Sequence, residues 1–133
     1  MGLGVAECFA VAGIKVVLTD ATPELTREAK RRLVQRTRGH ADAGLLSEGA
    51  VGRVEAVEAA DDVAGAVGVV DLVFEAVPED IGLKEEILNS CSAAVPEDAV
   101  IVSNTSSLPI NDLSKFVGRP ECFCGLHWFN PPE

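Results

Sequence analysis

Along this chain, short apolar runs rich in β-branched residues alternate with stretches whose apolar positions recur every three or four residues. The first pattern is that of buried strands and the second that of amphipathic helices. Residues 3–12 read as a helix ending at Gly13, a residue suited to the left-handed C-cap position. Residues 14–19 (Ile-Lys-Val-Val-Leu-Thr) then read as a strand with Asp20 at its end. Thr22 and Pro23 supply an N-cap and a first helical residue, and Leu25, Ala29 and Leu33 mark an apolar stripe on the helix that follows. Periodicity fails between Gly39 and Gly52, which predicts a loop or a frayed second arm of a helical hairpin, so a helical arm is expected over roughly 23–52. Further strands are predicted at 54–57, 69–77, 99–103 and 122–127, and further helices at 61–67, 81–94 and 109–116.

Strands and helices joined by short connections predict a Rossmann-like α/β fold, a mostly parallel sheet with flanking helices, in one domain over 1–133. Ligands of such sheets bind beyond the carboxyl ends of the strands. The predicted strands end at Asp20, at Pro78-Glu79, at Ser103-Asn104-Thr105-Ser106-Ser107 and at His127. Imidazole exchanges protons near neutral pH, which makes His127 the first candidate for a general acid or base. A histidine at a strand end serves equally well as a packed structural residue, so the polar residues at the other strand ends carry much of the argument. Loop polarity alone accounts for Glu79 and Asp80 but less well for the Ser-Asn-Thr-Ser-Ser run.

Composition narrows the classes. The 133 residues carry a net charge of −10, unfavourable for a nucleic-acid partner, and no apolar run approaches the length of a membrane span. The chain therefore reads as soluble and cytoplasmic, without a signal peptide. Cys8, Cys91, Cys122 and Cys124 lack the spacing of a zinc site and read as reduced thiols, with no metal expected. Six of the eleven basic residues, Arg27, Lys30, Arg31, Arg32, Arg36 and Arg38, fall in the predicted arm. They are read either as a solvated helix face or as the place where an anion is met.

In dinucleotide-binding folds, an acidic residue closing the second strand, about 20 residues past a glycine-rich turn, accepts hydrogen bonds from the adenosine ribose. Asp20 holds that position if Gly2 is the last glycine of the turn, and its charge favours NAD over NADP.

Three blocks carry a more specific likeness. Glu75-Ala76-Val77-Pro78-Glu79-Asp80 with Lys84, then Ser103-Asn104-Thr105-Ser106-Ser107-Leu108, then Gly125-Leu126-His127-Trp128-Phe129-Asn130-Pro131 closely resemble the NAD-binding domain of the 3-hydroxyacyl-CoA dehydrogenase family, in order and spacing. The resemblance implies oxidation of a 3-hydroxyacyl-CoA to the 3-oxoacyl-CoA in fatty-acid metabolism, with NAD as cofactor. His127 matches the catalytic base, Ser106 a serine that bonds the reacting oxygen, and Asn130 an asparagine close to nicotinamide and substrate. Gly2, Asp20, Ala76, Val77, Glu79, Lys84 and Asn104 match cofactor-binding positions. The basic segment matches an arm that reaches toward coenzyme A phosphates.

The resemblance also implies departures. The family's first strand and first two turn glycines would precede Met1, leaving a gap in the sheet, and the glutamate that orients the family's histidine would lie beyond Glu133. A helical second domain that forms the acyl pocket and the dimer interface is likewise outside these residues, so a homodimer is expected only of a longer protein. The chain by itself is therefore expected to be nearly inactive. Two other readings stand beside the leading one: a dehydrogenase of hydroxyacyl groups on an acyl carrier protein, and a noncatalytic NAD-binding or structural relative.

Overall fold

A computed structural model describes residues 1–129. They form two compact units, one of Met1 and Leu3–Asp62 and the other of Gly2 and Val63–Phe129.

The first unit contains α1 (Gly2–Val11), β1 (Val17–Leu18), α2 (Pro23–Asp42), α3 (Glu48–Glu55) and β2 (Glu58–Ala59). Gly13 follows α1 with φ +85°, the left-handed conformation that glycine adopts without a Cβ penalty. The strand predicted at 14–19 is realised only at Val17 and Leu18, because its parallel partner β2 offers two residues, Glu58 and Ala59. Thr22 caps α2 by accepting the Leu25 N–H at 3.2 Å, and Pro23 follows at the start of the helix.

Beyond that start, the arm departs from the sequence reading in two ways. The buried face of α2 is Thr26, Leu33 and Thr37, whereas Leu25 is exposed. Threonine is tolerated there because each hydroxyl bonds a carbonyl one turn back, Thr22 for Thr26 and Leu33 for Thr37. The region expected to be loop or frayed arm is helical at both ends. α2 continues through Gly39 to Asp42, and a left-handed Gly44 (φ +74°) follows. Ser47 then caps α3 by accepting the Ala50 N–H, which places Ala50, Val51 and Val54 on a buried face and replaces the strand predicted at 54–57. The core joins Ala6 and Ala10 of α1, Leu33 of α2, Val54 of α3 and Val57.

Glu7 of α1 is also buried in this unit. Its carboxylate faces α2, with Arg36 Nε at 2.7 Å, the Thr37 hydroxyl donating at 2.7 Å and His40 Nδ1 at 3.0 Å. A buried carboxylate is stable only when so surrounded.

The second unit contains α4 (Val63–Val67), β3 (Leu72–Glu75), α5 (Ile81–Ala94), β4 (Val100–Ser103), α6 (Ile110–Leu113), two 3-10 turns (Ser114–Phe116 and Pro120–Cys122) and β5 (Phe123–Gly125). Its three strands are parallel in the order β3-β4-β5, with Glu75 opposite Ser103 and Ser103 opposite Gly125. Asp80 caps α5 by accepting the Leu83 N–H at 2.8 Å, and α5 packs on α4 and α6. At the end of β5, a Cβ on Gly125 would stand 2.8 Å from Ile110 Cδ1 and 2.9 Å from its Cγ1, so a side chain there requires Ile110 to shift.

Candidate functional site

The register of the three-stranded sheet brings the carboxyl ends of β3, β4 and β5 level with one another, and the backbone ladder continues one step past β4 and β5. Asn104 donates its N–H to the Glu75 carbonyl at 2.9 Å, and Leu126 donates its N–H to the Ser103 carbonyl at 2.9 Å. The polar run after β4 is thereby flanked by the loop after β3 on one side and by the segment leading to His127 on the other.

Side chains reinforce both borders. Glu75 accepts from Lys84 Nζ at 2.7 Å and from the Val77 N–H at 2.7 Å through Oε1, and from the Ser103 hydroxyl at 2.5 Å through Oε2. Lys84 Nζ also donates to the Val77 carbonyl at 3.2 Å. The Glu75 and Lys84 side chains are 0% and 1% exposed. This ion pair therefore acts from within, fixing both peptide groups of Val77. Lys84, expected among the cofactor contacts, directs its ammonium to that loop.

Four residues further on, Glu79 repeats the arrangement at the surface. Its Oε2 accepts from the Thr105 hydroxyl at 2.8 Å, and its Oε1 accepts from the Ser106 N–H at 2.6 Å and the Ser106 hydroxyl at 3.2 Å. Burial works to raise the Glu79 pKa. The Ser106 N–H, the Thr105 hydroxyl, the Lys84 charge and the Ser106 hydroxyl together outweigh it and hold the carboxyl below the usual glutamate range. Thr105 Oγ1 in turn accepts the Leu108 N–H at 3.0 Å, which closes the turn that displays Ser106.

On the other border, the Asn104 side-chain carbonyl accepts the Trp128 N–H at 2.7 Å, directly after His127. The Trp128 ring meets Phe74 of β3 edge-on, with centroids 6.2 Å apart. His127 is exposed, and its ring stands edge-on to Phe129 at 4.7 Å. Among the described residues no side chain bonds its ring nitrogens, which leaves both open to a ligand. Gly2 belongs to this unit as well, and a Cβ on it would stand 3.4 Å from Ala76 Cβ. Asn130 lies outside the described residues.

Asp20 is in the first unit, past the end of β1. Its backbone N–H donates to Thr26 Oγ1 at 2.9 Å, and its Oδ1 accepts the Ala21 N–H at 2.7 Å. The residue is exposed, so Oδ2 remains open to a hydroxyl ligand. The basic cluster on α2 is largely neutralised: Arg27 pairs with Glu24 and Asp61, Arg31 with Glu28, Arg36 with Glu7 and Arg38 with Glu55. No ion pair forms at Lys30 or Arg32 among the described residues.

Two features of the site were not read from sequence: the Glu75 network beneath the loop, and the role of Asn104 in holding the histidine segment. The signal for the first was a lone glutamate ending an apolar strand nine residues before a lysine. The second had none, because an asparagine in a polar run has many equivalent uses.

The family model for the 3-hydroxyacyl-CoA dehydrogenase NAD binding domain matches residues 1–133. The 5-formyl-3-hydroxy-2-methylpyridine 4-carboxylate 5-dehydrogenase of Mesorhizobium japonicum is 35% identical over 134 residues, covering all of this chain and 42% of the relative. FadB2 of M. tuberculosis superposes with a TM-score of 0.91 at 34% identity, over 98% of this chain and 46% of its own. The 3-hydroxybutyryl-CoA dehydrogenase of Escherichia coli K12 gives 0.90 at 29% identity, over 99% and 28%. The chain thus spans less than half the length of each of these relatives. No helix among the described residues is long and apolar enough to cross a membrane.

Proposed function

The chain belongs to the family of 3-hydroxyacyl-CoA dehydrogenase NAD-binding domains, and from that premise we propose that it serves the oxidation of a 3-hydroxyacyl thioester, with His127 as the base. The observation that carries the reading is the bond from the Trp128 N–H to the Asn104 side chain. It holds the His127 segment beside the polar run that contains Ser106.

The family's cofactor is NAD, and the donor set of the chain suits it. Asp20 offers an exposed carboxylate to ribose hydroxyls and repels a 2′-phosphate. The loop of Ala76, Val77 and Glu79, held from beneath by Lys84, offers peptide groups and a carboxylate. Gly2 and Asn104 complete the proposed contacts. NAD, when bound, supplies the acceptor for the hydride leaving the substrate carbon. His127 takes the hydroxyl proton, Ser106 bonds the reacting oxygen, and Asn130 is assigned a place beside them. Lys30 and Arg32 are the arm residues proposed for the phosphates of a coenzyme A thioester.

A second reading has support of its own. The Mesorhizobium relative acts, by its name, on a pyridine carboxylate, so a small ring-bearing acid is the alternative substrate class. Both are tested together. Calorimetry is expected to show NAD binding that exceeds NADP binding and is weakened by Asp20→Ala. Formation of reduced cofactor is then followed, in a full-length version, with 3-hydroxybutyryl-CoA, its carrier-protein analogue and the pyridine carboxylate, against His127→Ala. Absence of heat at millimolar NAD overturns the dehydrogenase reading, and turnover of the pyridine acid alone transfers it to the second class.

A further inference from the structure

The cofactor contact proposed for Glu79 leaves its strongest hydrogen bonds unexplained, because they point away from the loop toward Thr105 and Ser106. Both carboxylate oxygens are engaged there, one by the Thr105 hydroxyl and the other by the Ser106 N–H and hydroxyl. We propose that Glu79 is a positioning residue for Ser106: it fixes the serine's backbone at the mouth of β4 and holds its hydroxyl in place until the reacting oxygen arrives. This inference rests on the proposed function for the meaning of Ser106, though not for the coupling itself.

A serine hydroxyl has one proton and two lone pairs. That proton rests on Glu79 at 3.2 Å, the longest of the three bonds, and a reacting oxygen that gives its own proton to His127 competes with the carboxylate for it. Ser106 itself is exposed, and its own backbone carbonyl and side chain make no other bond among the described residues. The neighbouring Thr105 is buried and tied to the Leu108 N–H, so the carboxylate grips a turn that is closed on its far side. Lys84 is the charged group nearest in effect to Glu79, and it supports the ionised form.

The coupling is read first without any activity. In a pH titration followed by amide NMR, the Ser106 N–H is expected to shift with a midpoint below the usual glutamate range, and Glu79→Gln is expected to abolish that shift. A Ser106 amide indifferent to pH across the carboxylate range overturns the proposal. Glu79 is exposed, so the substitution leaves the core untouched. The functional arm is a double-mutant cycle with 3-hydroxybutyryl-CoA in a full-length version, where turnover is expected. Glu79→Gln is expected to lower kcat about tenfold, the size of one charge-assisted hydrogen bond, and to have no further effect on kcat in a Ser106→Ala background. Additive losses overturn the positioning role. An effect on the KM for NAD that persists in the Ser106→Ala background reports the separate cofactor contact. If wild-type protein fails to bind NAD while the Ser106 amide still titrates, the proposed function falls and the coupling stands.

Discussion

Lys84 Nζ lies 2.7 Å from Glu75 Oε1 with both side chains sealed from solvent, and the same carboxylate takes the Ser103 hydroxyl. Removing one member of such a pair strands the other charge without water or partner. Lys84→Met is therefore expected to cost roughly 3–5 kcal/mol, whereas the double change Lys84→Met with Glu75→Leu recovers much of that loss. Urea denaturation of the two variants decides it. A single variant as stable as wild type would show that the pair does not hold the loop.

The bond between Asn104 Oδ1 and the Trp128 N–H is a second test of what holds the histidine segment. Asn104→Ala leaves that N–H without its acceptor, at a cost of about 1 kcal/mol. Hydrogen exchange at Trp128 is expected to speed up in the alanine variant and to stay slow in Asn104→Asp, which keeps an acceptor in place. Equal exchange in all three proteins would remove Asn104 from this role.

Glu7 joins α1 to α2 through Arg36, Thr37 and His40. Glu7→Ala removes the carboxylate that Arg36, Thr37 and His40 share, and a loss of about 2–4 kcal/mol is expected, with Glu7→Gln milder because it still accepts from Thr37. Thermal unfolding followed by circular dichroism reads both. Ranking the two variants in the reverse order would contradict the geometry.

Burial, assisted by the nearby Glu75 charge, pushes the Cys91 thiol up to about 11 from an ordinary 9.0. A thiol whose pKa is raised on folding is deprotonated first in the unfolded chain. Its contribution to stability is thus complete below pH 9.0 and lost as pH climbs toward about 11. Alkylation mapped by mass spectrometry at pH 8 is expected to mark the exposed Cys124 first and to spare Cys91 until the protein unfolds. Early labelling of Cys91 would refute its burial.

Where local chemistry decides an element, the sequence was sufficient. The Thr22 cap with Pro23, α5 and β4 all follow from patterns confined to a few neighbouring residues. Between 39 and 52 four glycines leave a loop and a second helical arm both open, and 54–57 reads as a strand, because the Ser47 cap and the face of Ala50, Val51 and Val54 gain their meaning from burial against α1 and α2. The three site blocks were legible as residue types in order. What binds them was not, since Glu79 to Ser106 and Asn104 to Trp128 are pairs separated by 27 and 24 residues that only the sheet register brings together. Glu7 had left a faint sign, a single carboxylate among the apolar residues of α1.

Gly125 has no chemistry to offer, yet it sits two residues before His127 with the Ile110 side chain filling the space a Cβ would need. Any side chain there has to push β5 away from α6 or displace Ile110, and the histidine travels with the strand. In a survey of random substitutions, alanine at this silent position is expected to look like damage to the reaction itself, and would be counted among the residues that perform it.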